Sequence, residues 1–279
     1  LDYYLQRGFF AWLENYVDLM ENETKGDPMR IKIINPDFGM SPESLRYREK
    51  MLSNAALPDT HISMDCVTAS EVEIDSALDV VIAGPEIVSR AIQAEKDGYD
   101  AVILYCLSDP AISACREAVK IPVIGGGQVS VLVAALLGYR FSILTTSPWR
   151  KPEKEEFIRT TGVDPTRLAS IRSISVSLQD ARKDTHETIR QLSDAAKACA
   201  EEDGAQVVVL GCLSFAGMSA EISHSSGVPV VDPAFALVSM AELLYAQKLS
   251  HSKNAYPYPP DRKRTWQGGS IAPRQDDQK

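Results

Sequence analysis

From Met29 onward the apolar residues fall in short, β-branched blocks separated by longer stretches of helical spacing. Positions 30–34, 61–67, 101–104 and 121–124 are such blocks, short and apolar enough on both faces to be buried strands. Between them, 41–52 opens with Ser41-Pro42-Glu43, a helix start, and 82–97 has helical periodicity. Residues 109–120 begin with Asp109-Pro110 as a capping pair, and 128–137 predict an apolar helix. A second series repeats the alternation, with strands at 140–144, 168–173, 206–210 and 228–231 and a long polar helix over 184–202. Strands alternating with helices in this way predict α/β architecture, parallel sheets flanked by helices.

The series contains a duplication. Residues 97–108 read Asp-Gly-Tyr-Asp-Ala-Val-Ile-Leu-Tyr-Cys-Leu-Ser, and residues 203–214 read Asp-Gly-Ala-Gln-Val-Val-Val-Leu-Gly-Cys-Leu-Ser. The match continues with Ser113 facing Ser219 and, after a one-residue slip, Ile121-Pro122-Val123-Ile124 facing Val228-Pro229-Val230-Val231. The opening strands also end comparably, at Ile34-Asn35-Pro36 and at Leu144-Thr145-Thr146-Ser147-Pro148. Two pseudo-symmetric α/β domains follow, 29–137 and 138–234, the first completed by a helix over 235–250 that returns to it, with a site between them.

The ends differ in character. Residues 1–28 hold six of the twenty aromatics, and Leu5, Phe9, Leu13, Tyr16 and Met20 fall at helical spacing before a polar linker. An amphipathic helix of this kind needs a surface to cover, on its own domain or on a neighbouring subunit, and a homo-oligomer is expected. Residues 251–279, with Tyr256-Pro257-Tyr258-Pro259-Pro260 and the basic Arg262-Lys263-Arg264, predict an extended or disordered tail.

Composition narrows the partners. With 44% apolar and 24% charged residues in 279, the chain reads as soluble and globular, and a net charge of −9 argues against nucleic acid. No apolar run reaches the roughly 18 residues of a membrane span, and the first residues lack the pattern of a signal peptide. The five cysteines form no close pair, which predicts reduced thiols in a cytoplasmic protein. The scattered histidines, without paired cysteines or clustered carboxylates, predict no metal site.

The chemistry centres on Cys106 and Cys212, the thiols of the duplicated phrase. Each ends a strand where a helix follows, the place where open α/β sheets bind ligands. A thiol beside a helix start is expected to have a lowered pKa, and two thiols facing one small molecule suit two-base proton transfer. Ser108 and Ser214 are expected to cap the following helices, to donate to a substrate oxygen, or both. The amides of Gly125-Gly126-Gly127-Gln128, Gly127 and Gln128 above all, are expected to cradle a substrate anion or carbonyl, and Asn35, Thr145 and Thr146 to offer polar contacts at the same rim. Cys66, Cys115 and Cys199 are assigned to packing.

Taken together, Ile33-Ile34-Asn35-Pro36, Tyr105-Cys106-Leu107-Ser108-Asp109-Pro110, the run from Ile121 to Gly127, Ile143-Leu144-Thr145-Thr146, Leu210-Gly211-Cys212 with Ala216-Gly217-Met218, and Val228-Pro229-Val230-Val231-Asp232 resemble the aspartate/glutamate/hydantoin racemase superfamily, the hydantoin racemases most closely. The resemblance covers roughly residues 29–250. It implies a cofactor-independent racemase or epimerase with two cysteines flanking an acidic carbon of a 5-substituted hydantoin or related cyclic ureide. Asn35, Ser108, Thr145, Thr146 and Ser214 are then candidates to hold the enolate. Asp37-Phe38, Gln128 and Leu213-Ser214-Phe215 depart from the usual pattern, which bears on the substrate more than on the chemistry. The competing readings are cis–trans isomerisation of an unsaturated diacid, decarboxylation of a substituted malonate, and a non-catalytic protein that binds a small carboxylate.

Overall fold

A computed structural model describes residues 28–146, 148–176, 181–266 and 269–271. The first sheet is built from β1 (Met29–Asn35), β2 (Thr60–Cys66), β3 (Ala101–Leu104) and β4 (Val123–Gly125), in the order β2-β1-β3-β4. The second uses β5 (Phe141–Thr145), β6 (Leu168–Ser173), β7 (Val207–Leu210) and β8 (Val230–Val231), in the order β6-β5-β7-β8. Every pairing in both sheets is parallel. Each sheet thus places its opening strand in the middle and its cysteine-bearing strand beside it, so the repeat in the sequence is a repeat of topology. Ile31 faces Ala101 across β1 and β3 as Phe141 faces Val207 across β5 and β7.

The strands are apolar because helices cover them on both sides. All residues of β3, β5 and β7 are buried, and complete burial of side chains such as Ile31, Ile33 and Phe141 is worth about 1.5–3 kcal/mol each. The helices are α1 (Pro42–Ser53), α2 (Ala77–Lys96), α3 (Ile112–Ala118), α4 (Gly126–Leu137), α5 (Lys151–Thr160), α6 (Thr185–Glu201), α7 (Ser219–Ser226) and α8 (Pro233–Ala246). Helix α8 packs Leu237, Val238 and Ala241 into the core of the first lobe. Helix α4 joins both cores, giving Val129 to the first lobe and Val131 and Ala134 to the second.

Two helix boundaries differ from the sequence expectation. Helix α2 begins at Ala77, five residues early, because the Ser76 hydroxyl caps it by accepting from the Asp79 N–H, and Pro85 is carried inside it. Helix α3 begins only at Ile112, because Asp109 and Ala111 adopt left-handed φ angles of 45° and 57°. Asp109-Pro110 is therefore not the cap of α3.

The aromatic stretch 1–27 lies outside the described residues. The tail differs, over its described part, from the expected extended or disordered arm: it is clamped to the first lobe. Lys253 Nζ donates to the carbonyls of Arg116 and Val119 at 2.6 Å, closing the C-terminus of α3. The Val123 N–H donates to His251 Nε2 at 2.9 Å, and Arg116 Nη1 donates to the Tyr256 hydroxyl at 3.2 Å. Strands β9 (Arg264–Trp266) and β10 (Gly269–Ile271) then pair as a short antiparallel ribbon. Among the described residues no helix is long and apolar enough to cross a membrane.

Candidate active site

Parallel sheets leave their strand ends open at one rim, and the two rims here face a single cavity of about 430 Å³. Asn35 from β1, Cys106 just beyond β3, Thr145 from β5 and Cys212 just beyond β7 all line it. Ser108, Thr146 and Ser214 line it as well, so seven of the nine residues singled out in the sequence converge.

Gly127 and Gln128 do not line the cavity. Their backbone amides do cradle an anion, but the anion is the chain's own Asp109, whose Oδ1 and Oδ2 accept from the Gly127 and Gln128 N–H groups at 2.8 Å each. The carboxylate thereby caps α4. A side chain at Gly127 would run into the Leu107 carbonyl oxygen and the Phe157 ring, and one at Gly125 into Asp109 itself. The glycine run permits this close approach of the Cys106 loop to α4. Burial pushes the Asp109 carboxyl up to about 6 despite the two donors.

The thiols also differ from expectation. Burial pushes Cys106 up to about 12, with the charge of Asp37 acting in the same direction. Burial raises Cys212 too, opposed chiefly by Ser214. The reason is positional: the field of a helix terminus fades within one turn, while α3 and α7 begin at Ile112 and Ser219, several residues beyond the thiols. Desolvation therefore wins over the helix dipole.

The two halves are not dressed alike. Cys212 Sγ lies 2.9 Å from Ser214 Oγ and accepts the Ser214 N–H at 3.4 Å. Ser108 Oγ instead accepts from Arg150 Nη2 at 2.9 Å, and Arg150 Nη1 donates to the Ile74 carbonyl at 2.9 Å. Neither serine caps a long helix. Arg150, set just after β5, ties the second lobe to the first and is itself paired with Glu153 at 2.6 Å.

Sequence reasoning missed the charged lining. Arg48, Arg150, Lys154 and Arg182 line the cavity with Asp37 and Glu73. Asp37 Oδ1 accepts the Ile74 N–H at 2.9 Å, and burial raises its pKa. Arg182 Nη2 donates to the Ala216 carbonyl at 2.7 Å. Two signals were present: Arg48 shares a helical face with Leu45 and Leu52, where an arginine faces the core, and Arg150 and Lys154 lie one helical turn apart immediately beyond the Thr145-Thr146 rim. Among the described residues no group of three or more histidine, cysteine or acidic side chains is arranged to hold a metal ion.

Two lobes of one topology, meeting over a cavity at the carboxyl ends of both sheets, define a pseudo-symmetric α/β protein. The chain belongs to the Asp/Glu/Hydantoin racemase family, which residues 32–241 match, and it is a racemase of that superfamily. It is 32% identical to a hydantoin racemase of Rhizobium meliloti over 232 residues, 83% of this chain and 95% of that one. It is 31% identical to a hydantoin racemase of Pseudomonas sp. (strain NS671), covering 83% and 92%. Its fold is similar to that of allantoin racemase from Klebsiella pneumoniae, with a TM-score of 0.79, 26% identity, and coverage of 86% and 97%.

Proposed function

We propose that this racemase acts without a cofactor on a 5-substituted hydantoin or related cyclic ureide, with Cys106 and Cys212 as its two acid–base groups. The observation that carries this reading is that equivalent strand ends of a duplicated fold each bring a thiol to the same cavity. The C5–H of a hydantoin is acidic because it lies beside the C4 carbonyl. One sulfur, as thiolate, removes that proton; the carbanion delocalises as an enolate; the other sulfur, as thiol, returns a proton to the opposite face. Asn35, Ser108, Thr145, Thr146 and Ser214 supply polar atoms around the cavity from which the enolate oxygen takes its donors.

The neutral state of both buried thiols suits the proton-donating role in either direction. The base must first lose its proton, and the positive charges of Lys154 and Arg150 near Cys106, and of Lys154 near Cys212, favour that loss. Proton–deuterium exchange at C5, followed by NMR in D₂O together with optical rotation, tests the reading. Enzyme-dependent exchange with racemisation, reduced at least about a hundredfold by Cys106→Ser or by Cys212→Ser, is expected. Exchange and racemisation that survive both substitutions would remove the cysteines from the mechanism. Binding of a 5-substituted hydantoin without exchange would shift the reading toward a malonate, an unsaturated diacid or a purely binding role.

A further inference from the structure

Lys154 is 9% exposed, lines the cavity from α5, and forms no hydrogen bond or ion pair among the described residues. Burial and the like charge of Arg150 lower its pKa, while Cys106 and Cys212 act in the opposite direction. The neighbouring carboxylates are engaged elsewhere or exposed: Glu153 is paired with Arg150, Asp37 accepts from the Ile74 N–H, and Glu73 is exposed at the rim. A buried charge without a counter-ion is among the costliest arrangements a fold can hold. A second cation reaches the cavity from the other lobe. Arg48 on α1 uses Nη1 on Ser44, while its Nη2 makes no hydrogen bond among the described residues. One lobe thus offers a lysine and the other an arginine to the same cavity, and Cys212 feels the charge of each.

We propose that Lys154, opposite Arg48, forms an anion subsite that reads a carboxylate on the 5-substituent, so that the substrate class is hydantoins with an acidic side chain. This deepens the racemase reading and rests on it. The ammonium supplies the missing partner for a carboxylate carried one or two carbons from C5, and the carboxylate supplies the missing counter-ion for the ammonium. A ligand that touches Lys154 and Arg48 together also spans the two lobes. A neutral alkyl or aryl substituent would leave the lysine buried and unpaired.

The test compares 5-(2-carboxyethyl)hydantoin with its primary amide, nearly the same in shape and uncharged, in the wild type, Lys154→Met and Lys154→Arg. Racemisation is followed by circular dichroism and binding by calorimetry. The wild type is expected to prefer the carboxylate at least tenfold in kcat/KM. Lys154→Met is expected to lose at least tenfold more on the carboxylate than on the amide, mainly through KM, with Lys154→Arg recovering part of the preference. Equal handling of the two compounds by the wild type, with racemisation intact, would overturn the subsite and leave the racemase standing. Losses of the same size on both compounds, with no excess on the carboxylate, would also overturn it and leave Lys154 only as a charge that serves the thiols. Tight binding of the carboxylate without turnover of any hydantoin would overturn the hydantoin reading while the anion subsite stands. A melting curve for each variant separates these outcomes from misfolding, and Lys154→Met, relieved of an unpaired charge, is expected to melt no lower than the wild type.

Discussion

At the residue scale, the thiols of Cys106 and Cys212 were legible because the chain writes the same phrase twice, and a cysteine repeated at one register asks for an explanation that a single one does not. Their ionisation was not legible. The sequence places a thiol before a helix, but how many residues intervene and how much water the sulfur loses are tertiary properties. With Cys106 pushed up to about 12, its thiolate is scarce at neutral pH. Alkylation by iodoacetamide, followed peptide by peptide with mass spectrometry, is expected to be slow at Cys106 near pH 7. The rate should climb about tenfold per pH unit toward pH 9. Fast labelling that does not change with pH would mean the thiolate is already formed. The charged residues of the cavity were half-hidden for a related reason: the face that Arg48 shares with Leu45 and Leu52 marks it as turned inward, but that it meets a cavity there is a tertiary property.

At the scale of single elements, the strands were the most legible part. A buried parallel strand has to be apolar on both faces, and blocks such as Ala101–Leu104 and Val207–Leu210 have no other use. The helix starts were less so, since a cap is a hydrogen bond and a sequence does not say which donor it meets. Asp109-Pro110 looks like the cap of the helix that follows, yet the carboxylate reaches over to α4. Removing it with Asp109→Ala leaves the Gly127 and Gln128 N–H groups without an acceptor in a closely packed place. The expected cost is about 2–4 kcal/mol, read from urea unfolding. A loss below about 0.5 kcal/mol would show that water or a neighbouring carbonyl replaces the carboxylate. The glycine run looks like a cradle for a substrate, yet its amides hold the protein's own Asp109.

At the scale of the whole molecule, the duplicated order of the two sheets follows from the repeat, whereas the fastenings between distant parts do not. Arg150 reaching Ile74 and Ser108, and the tail fixed through His251, Lys253 and Tyr256, join residues far apart in the chain. The His251 contact makes acid stability a test of the tail clamp. Burial, helped by the charge of Arg116, lowers His251 from 6.5 to about 4. A folded pKa below the unfolded one gives stability that is complete above about 6.5 and is lost as the pH falls through about 4. Unfolding curves across that window are expected to fall more steeply for the wild type than for His251→Gln, which has nothing to titrate; parallel curves would detach the tail from the acid response. The unequal dressing of the two thiols has a consequence of another kind. Enantiomers of a substrate with one stereocentre have equal free energy, so the interconversion has an equilibrium constant of one, and kcat/KM must be identical in the two directions however lopsided the catalyst. The hydroxyl against Cys212, and its diversion to Arg150 beside Cys106, can therefore register only as compensating differences, one mirror form held more tightly and turned over more slowly than the other.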